Sequence, residues 1–363
     1  MLLTAKSKCV SSLANYPRFI QWVAIPLLIL GCASLTNAII LLLCGYNPVQ
    51  AYTAAARVSL GSVSGLSETL VKTTPFLMTG LSVGIAFRCG IWNIGAEGQL
   101  LVGALGATWF GTRLAYMIPH TSWIGVPLCL TTAILTGGLW GVIPAILKVT
   151  RNVNEVISTI MLNYVAIHLM GLMIEGGPLQ ETSKIGSQSD SVVEWVRLTR
   201  FVAQYRLHYG IVIALVLAVV LTFVLFRTTF GYQLRAVGEG AAAAKAAGIS
   251  VARNTLQVFF ISGALAGLGG AIELMALANE LTKSFSPGYG YTAIAVALMA
   301  KLHPLGTVAT ALLFGALSRG SFAMEGEIGI SGKVTWMMQA IILLYVIGFS
   351  SARLFNKQST KQP

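Results

Sequence analysis

The sequence predicts an all-α, polytopic membrane protein, and three observations carry that class. Of 363 residues, 55% are hydrophobic and only 10% charged, with a mean hydropathy of +0.76. Ordinary soluble domains are about a quarter charged. Apolar stretches recur from end to end, many of them near the roughly 20 residues that a bilayer-spanning helix needs. The basic residues fall in alternate connections between those stretches, the pattern that orients a multispanning chain.

Ten apolar segments follow in order. The first, WVAIPLLILGCASLTNAIILLLC (22–44), is long enough to cross and lacks a small-residue cleavage site, so it is expected as a retained anchor. The second, 75–87, is short and flanked by Pro75. Then come 97–112, 123–147, 154–174 and 209–226. The seventh, 255–278, spaces Gly263 and Gly267 four apart, then Ala266 and Gly270, which permits close helix contact. The eighth, 288–301, is again short and glycine-rich, and 304–322 and 334–350 complete the set. Interrupted segments such as 75–87 and 288–301 often mark a transport pathway.

Charge sets the orientation. Lys6, Lys8 and Arg18, then Lys148 and Arg151, then Arg227, Arg235, Lys245 and Arg253, and finally Arg353, Lys357 and Lys361 fall on one side of a ten-segment layout. Glu68, Glu175, Glu181, Asp190, Glu194, Glu280, Glu325 and Glu327 fall on the other. Both termini are therefore expected in the cytoplasm. The organisation is a cytoplasmic segment 1–21, one transmembrane domain 22–350 and a cytoplasmic tail 351–363. An external stretch, 175–208, has four basic and four acidic residues, and part of it is expected as surface helix. The net charge of +12 follows from the cytoplasmic connections and implies no nucleic-acid partner. The five cysteines show no paired or metal-like spacing and read as small hydrophobes.

Polar groups inside apolar runs are the candidate functional residues. GIWNIGAEGQLL (90–101) carries Asn93, Glu97 and Gln99 among three glycines. Either they border a polar path, or they staple backbone groups freed by a broken helix. In NVNEVISTIMLNYVAI (152–167), Glu155, Thr159 and Asn163 share one helical face, as path lining or as interhelical glue. Tyr289 and Tyr291 either stack on a ring-shaped substrate or anchor a span at the headgroups. Glu273 is placed near the outer end of its segment, facing water. The large cytoplasmic connection, 227–254, holds an alanine run bounded by glycines, a short helix suited to touching a cytoplasmic partner.

Other chemistry is not indicated. GEIGISGKVT (326–335) departs from the phosphate-binding loop pattern, with Glu327 where a glycine is needed and Val334 after the lysine. No zinc-protease, nucleophile-elbow or Cys/His metal pattern is present. The chain is thus expected to be no enzyme, with no metal or cofactor of its own. A transporter driven by an ion gradient would need carboxylates buried at mid-membrane, for which only Glu97, Glu155 and Glu273 offer themselves.

Four blocks resemble the permease subunits of bacterial ABC importers for nucleosides and simple sugars, most closely the nucleoside branch served by basic-membrane-protein-type binding proteins. They are GLSVGIAFRCGIWNIGAEGQLLVGALGA (80–107), NEVISTIMLNYVA (154–166), FGYQLRAVGEGAAAAKAAGIS (230–250) and GYGYTAIAVALMAKLHPLGTVATALLFG (288–315). The resemblance implies a fold related to the cobalamin-type importers and inward transport by alternating access. It also implies three partners: a cytoplasmic ATPase with two nucleotide-binding domains that uses ATP and Mg, a second permease subunit, and an extracytoplasmic binding protein or lipoprotein. Gly238, Glu239, Lys245 and Gly248 would then belong to the helix that docks on the ATPase. Many relatives read GENPEAARYAGI there; this chain reads GEGAAAAKAAGI, with Ala241 for Pro and Ala242 for an acidic residue.

Overall fold

A computed structural model describes residues 18–118, 120–183, 186–202 and 204–359, with side chains from residue 27 to residue 349. The expected N-terminal segment with Lys6, Lys8 and Cys9, and the end of the tail with Lys361, lie outside the described residues. Among those described there is no strand, only isolated bridges such as Gln188 with Thr282. The helices are α1 (Arg18–Leu43), α2 (Pro48–Leu60), α3 (Val63–Arg88), α4 (Ala96–Trp109), α5 (Ser122–Arg151), α6 (Glu155–Ile174) and α7 (Gly210–Arg227), then α8 (Thr229–Glu239), α9 (Ala241–Ala246), α10 (Val251–Glu273), α11 (Tyr289–Met299), α12 (Pro304–Ile328) and α13 (Gly332–Ser359). Among the described residues, seven stretches are long and apolar enough to cross a bilayer: α3, α5, α6, α7, α10 with the π-turn that extends it to Ala278, α12, and α13 as far as Phe349.

Two compact units are present, residues up to Ala55 with Ser321 onwards, and Ala56–Gly320. In the first, Leu41, Ala51, Met324, Ile330 and Met338 form a buried cluster. Asn37 Nδ2 donates to the Met338 carbonyl at 3.2 Å, and the Thr36 and Tyr345 hydroxyls pair at 2.8 Å. Helix α2 was not anticipated, because PVQAYTAAARVSL is too polar to count as a span.

The second unit is built around α10, which packs against α3, α4 and α5. Both α3 and α10 are buried over most of their length, whereas α5, α6 and α7 have a third or less of theirs buried. The small-residue seam lies where the spacing placed it. A Cβ on Gly267 would run into Gly137 and Ala133, one on Gly103 into Gly267, and one on Gly263 into Gly137. These helices touch backbone to backbone, the contact that dispersion rewards when lipid is the alternative.

Three expectations need correction. The segment expected at 75–87 is a 26-residue helix that starts at Val63 and runs through Pro75. Its polar first half stays helical because the threonines satisfy themselves: Thr73 donates to the Thr69 carbonyl at 2.8 Å, and Thr74 to that of Leu70 at 3.1 Å. The stretch 175–208 holds only the 3₁₀ turn Glu194–Val196; its described part is otherwise irregular and clasps the end of α10. There Val192 N–H donates to the Asn279 carbonyl at 2.7 Å and Leu198 N–H to that of Met275 at 3.0 Å. Glu273 does not face water; it is buried, for a reason given below.

Candidate functional site

The chain leaves α3 at Arg88 and runs without helix to α4, turning at Gly90 with φ +75°, a conformation that favours glycine. Every backbone group exposed by that break needs a partner inside the bundle. Asn163, on the inner face of α6, supplies two. Its Oδ1 accepts from Gly98 N–H at 2.8 Å and its Nδ2 donates to the Ile94 carbonyl at 2.9 Å. Thr159, one turn earlier, offers its hydroxyl oxygen to Ile94 N–H at 3.4 Å. Asn93 folds back on its own segment, accepting from Gly95 N–H at 2.9 Å and donating to Gln99 Oε1 at 3.0 Å and Ser262 Oγ at 2.8 Å. Ser262 on α10 in turn donates to the Ser82 carbonyl on α3 at 2.7 Å. The network ties α3, α4, α6 and α10 together with no solvent contact: Asn93, Gln99, Thr159 and Asn163 are all buried.

Glu97 has a different task. Helices α4 and α11 both begin here, and a Cβ on Gly290 would strike the Glu97 backbone, so the two N-termini are in direct contact. The first N–H groups of a helix have no partner within it and need an acceptor from elsewhere. The Glu97 carboxyl group supplies one: its Oε2 accepts from Gly290 N–H at 2.7 Å, and Glu97 itself is only 3% exposed.

Tyr289 and Tyr291 flank Gly290 and go opposite ways. Tyr289 is buried, edge-on to Phe76 at 5.2 Å, and donates to Glu273 Oε1 at 3.1 Å; Lys72 Nζ reaches its hydroxyl at 3.3 Å. It is therefore no headgroup anchor. This lysine–tyrosine–carboxylate chain explains the burial of Glu273. Sequence reasoning missed Lys72, Ser82 and Ser262, whose partners lie far away in the chain; only a charged residue within an apolar run signalled Glu273. Tyr291 remains part-exposed, with Asn163 within hydrogen-bonding reach of its hydroxyl. Glu155, the third member of the α6 stripe, pairs with Lys148 at 2.6 Å where α5 turns into α6.

The second set of candidates lies at the basic end of this unit. The alanine run forms α9, six residues with only Ala244 buried, set off from α8 by Gly240. Glu239, Lys245 and Gly248 are exposed. Gly238 packs directly on the end of α3: a Cβ there would meet the Arg88 carbonyl, and one on Gly90 would lie 3.2 Å from Gly238 Cα. The exposed helix pair is thus joined to the residue where the broken segment begins. Beside it, Arg88 and Arg235 lie over the Phe226 ring at 5.5 and 5.4 Å, and His303 stacks on that ring at 5.1 Å. Burial and the nearby Arg88 charge hold the His303 pKa below its ordinary value.

A broken segment, a half-length helix starting within the bundle and an exposed helix pair joined to the broken segment form an arrangement suited to transport. Comparison with known proteins agrees. The family model described as branched-chain amino acid transport system / permease component matches residues 65–348. The guanosine ABC transporter permease protein NupP of Bacillus subtilis (strain 168) is 40% identical over 321 residues, 88% of this chain and 90% of the relative. The nucleoside ABC transporter permease protein NupB of Lactococcus lactis subsp. cremoris (strain MG1363) is 31% identical over 89% of this chain and 90% of its own. The glucose ABC transporter permease protein TsgB13 of Haloferax volcanii is 32% identical over 89% and 86%. No solved structure matches the chain. The chain belongs to this family of ABC-transporter permeases and is a multi-pass membrane protein.

Proposed function

We propose that the chain is the membrane-spanning subunit of an importer that moves nucleosides inward by alternating access. The observation that carries the substrate class is the similarity to NupP, named for guanosine, over nearly the whole of both chains. The mechanism rests on geometry. An ATPase closing on α8 and α9 pushes Gly238 against the Arg88–Gly90 turn, and the stapled segment passes that movement to α4, α6 and α11. Gly238, Glu239, Lys245 and Gly248 form the docking region; Asn93, Glu97, Gln99, Thr159 and Asn163 hold the wall of the path, with Tyr289 behind it and Tyr291 on its surface.

In this reading ten spanning or re-entrant segments place both termini in the cytoplasm, in a bundle related to the cobalamin-type permeases. ATP and Mg belong to the partner ATPase, and this chain carries no ATPase site. A second permease subunit completes the path, and an extracytoplasmic binding protein or lipoprotein delivers the ligand onto the face formed by 175–208. Import of a simple sugar by the same mechanism is the second reading, favoured by the similarity to TsgB13.

Uptake of labelled guanosine, adenosine, uridine, glucose and ribose, with and without this gene, tests the proposal. It is repeated with the ATPase disabled at its phosphate-loop lysine and with the ion gradient collapsed. Nucleoside uptake that needs both gene and ATPase and survives gradient collapse is expected. Sugar uptake in that pattern moves the substrate class, and uptake that needs only the gradient overturns the ATP-driven mechanism.

A further inference from the structure

Helix α6 has 20 residues, about 30 Å, which matches the hydrocarbon thickness of a bilayer. Its inner face is accounted for by Thr159 and Asn163. Its outer face carries Ile157, Met161, Tyr164 and His168, spaced i, i+4, i+7, i+11 and all exposed. Tyr164 is the tenth residue of the twenty, about 15 Å from either end, and is 54% exposed. Interfacial tyrosines belong at the ends of spans, where the hydroxyl reaches water. Among the described residues, neither the Tyr164 hydroxyl nor the His168 imidazole has a hydrogen-bond partner. A surface facing lipid at that depth would leave two polar groups unsatisfied in hydrocarbon.

Tyr291 lies beside this stripe. The residue, 37% exposed, starts the half-length helix α11 and is tied to α6 through α4: Glu97 accepts from Gly290 N–H, and the next residue, Gly98, donates to Asn163, the chain neighbour of Tyr164. Aromatic faces stack on any heteroaromatic ring, while the hydroxyls and the imidazole supply hydrogen bonds to its edge.

We infer that Tyr164 and His168 of α6, together with Tyr291 of α11, form a mid-membrane subsite on the wall of the path that takes the base of a nucleoside in transit. This rests on the transport reading above and adds Tyr164 and His168 to it. Tyr164 contributes the stacking face; His168, one turn towards the 175–208 side, meets the base edge first.

Two measurements on the complete transporter in cells test this. Guanosine and ribose uptake are compared for wild type, Tyr164→Phe, Tyr164→Ala and His168→Ala at equal membrane levels. Tyr164→Ala is expected to raise KM for guanosine by about tenfold or more, the scale of one lost base-stacking contact. Tyr164→Phe keeps the ring and stays near wild type, and residual ribose transport changes little. Tyr164→Cys and His168→Cys, in a background without native cysteines, are then exposed to a charged, water-soluble thiol reagent. Modification slowed by guanosine is expected, since only a watery path admits the reagent. If neither cysteine reacts while a lipid-soluble reagent labels both, the stripe faces lipid. If they react but guanosine does not protect and Tyr164→Ala transports normally, the stripe meets another subunit. Either result overturns the subsite. Failure of the parent reading is distinct: wild-type cells would then show no ATP-dependent nucleoside uptake at all.

Discussion

At the scale of single residues, Asn163 illustrates how polar side chains hold a membrane protein together. One amide satisfies both a donor and an acceptor of the broken segment, at 2.8 and 2.9 Å and without exposure. Asn163→Ala strands both groups, and each buried orphan costs on the order of 1–3 kcal/mol. Thermal unfolding of the purified complex should therefore show a marked loss of stability. Asn163→Asp should fall between, since it still accepts from Gly98 N–H but cannot donate to the Ile94 carbonyl; an alanine variant as stable as wild type would show that the staple carries nothing. His208 gives a second residue-level prediction. It is buried before α7, its Nδ1 accepts from Gly210 N–H at 3.1 Å, and burial, with the Arg200 and Arg206 charges, lowers its pKa to about 4. The folded protein holds the neutral ring, so its contribution is complete above the unfolded pKa near 6.5 and is lost as pH falls from there towards 4. Thermal stability should decline across that window in wild type and decline less in His208→Asn. Equal slopes would remove His208 as the cause.

Among elements, the meeting of α4 and α11 is the least tolerant contact. A methyl group at Gly290 would strike the Glu97 backbone, so Gly290→Ala must drive the two N-termini apart and pull the Glu97 carboxylate from its N–H donor. Uptake should fall by at least tenfold at normal membrane levels, whereas Gly84→Ala, with nothing within 4 Å of the new methyl, should transport normally. Equal uptake by the two variants would show that the contact between the two N-termini is not needed. The sequence exposed this region through its anomalies: Asn93, Glu97 and Gln99 stand out because apolar neighbours make polar groups costly. It did not expose what they bond to, since Ser82, Thr159 and Ser262 look like ordinary small residues until the fold brings them together. The start of α3 was hidden for the opposite reason. Threonines that bond their own helix read as polar in a hydropathy scan yet cost little inside a bundle. Pairing of Lys72, Tyr289 and Glu273 depends on three distant segments, and no periodicity within any one of them announces it.

For the whole molecule, the quantity that organises everything else is the direction of the chain across the bilayer. The basic connections 148–151 and 227–254 fall on one side of the spans, and Glu68, Glu175, Asp190, Glu194 and Glu280 on the other. Positive charge near span ends resists translocation, so the first side should be cytoplasmic. The proposed function requires the same result, because in it α9 meets an ATPase on the first side and the 175–208 stretch meets a ligand-delivering protein on the other. Single cysteines in a background without native ones decide it. Ala246→Cys on the exposed face of α9 and Ser191→Cys in the external stretch are both solvent-facing. A membrane-impermeant thiol reagent applied to intact cells should label Ser191→Cys and spare Ala246→Cys. Opened membranes should expose both, and the bound ATPase should shield Ala246→Cys again. Labelling of Ala246→Cys in intact cells would invert the topology and separate α8 and α9 from any cytoplasmic motor. The link from Gly238 through Gly90 to Glu97 would then need another source of force.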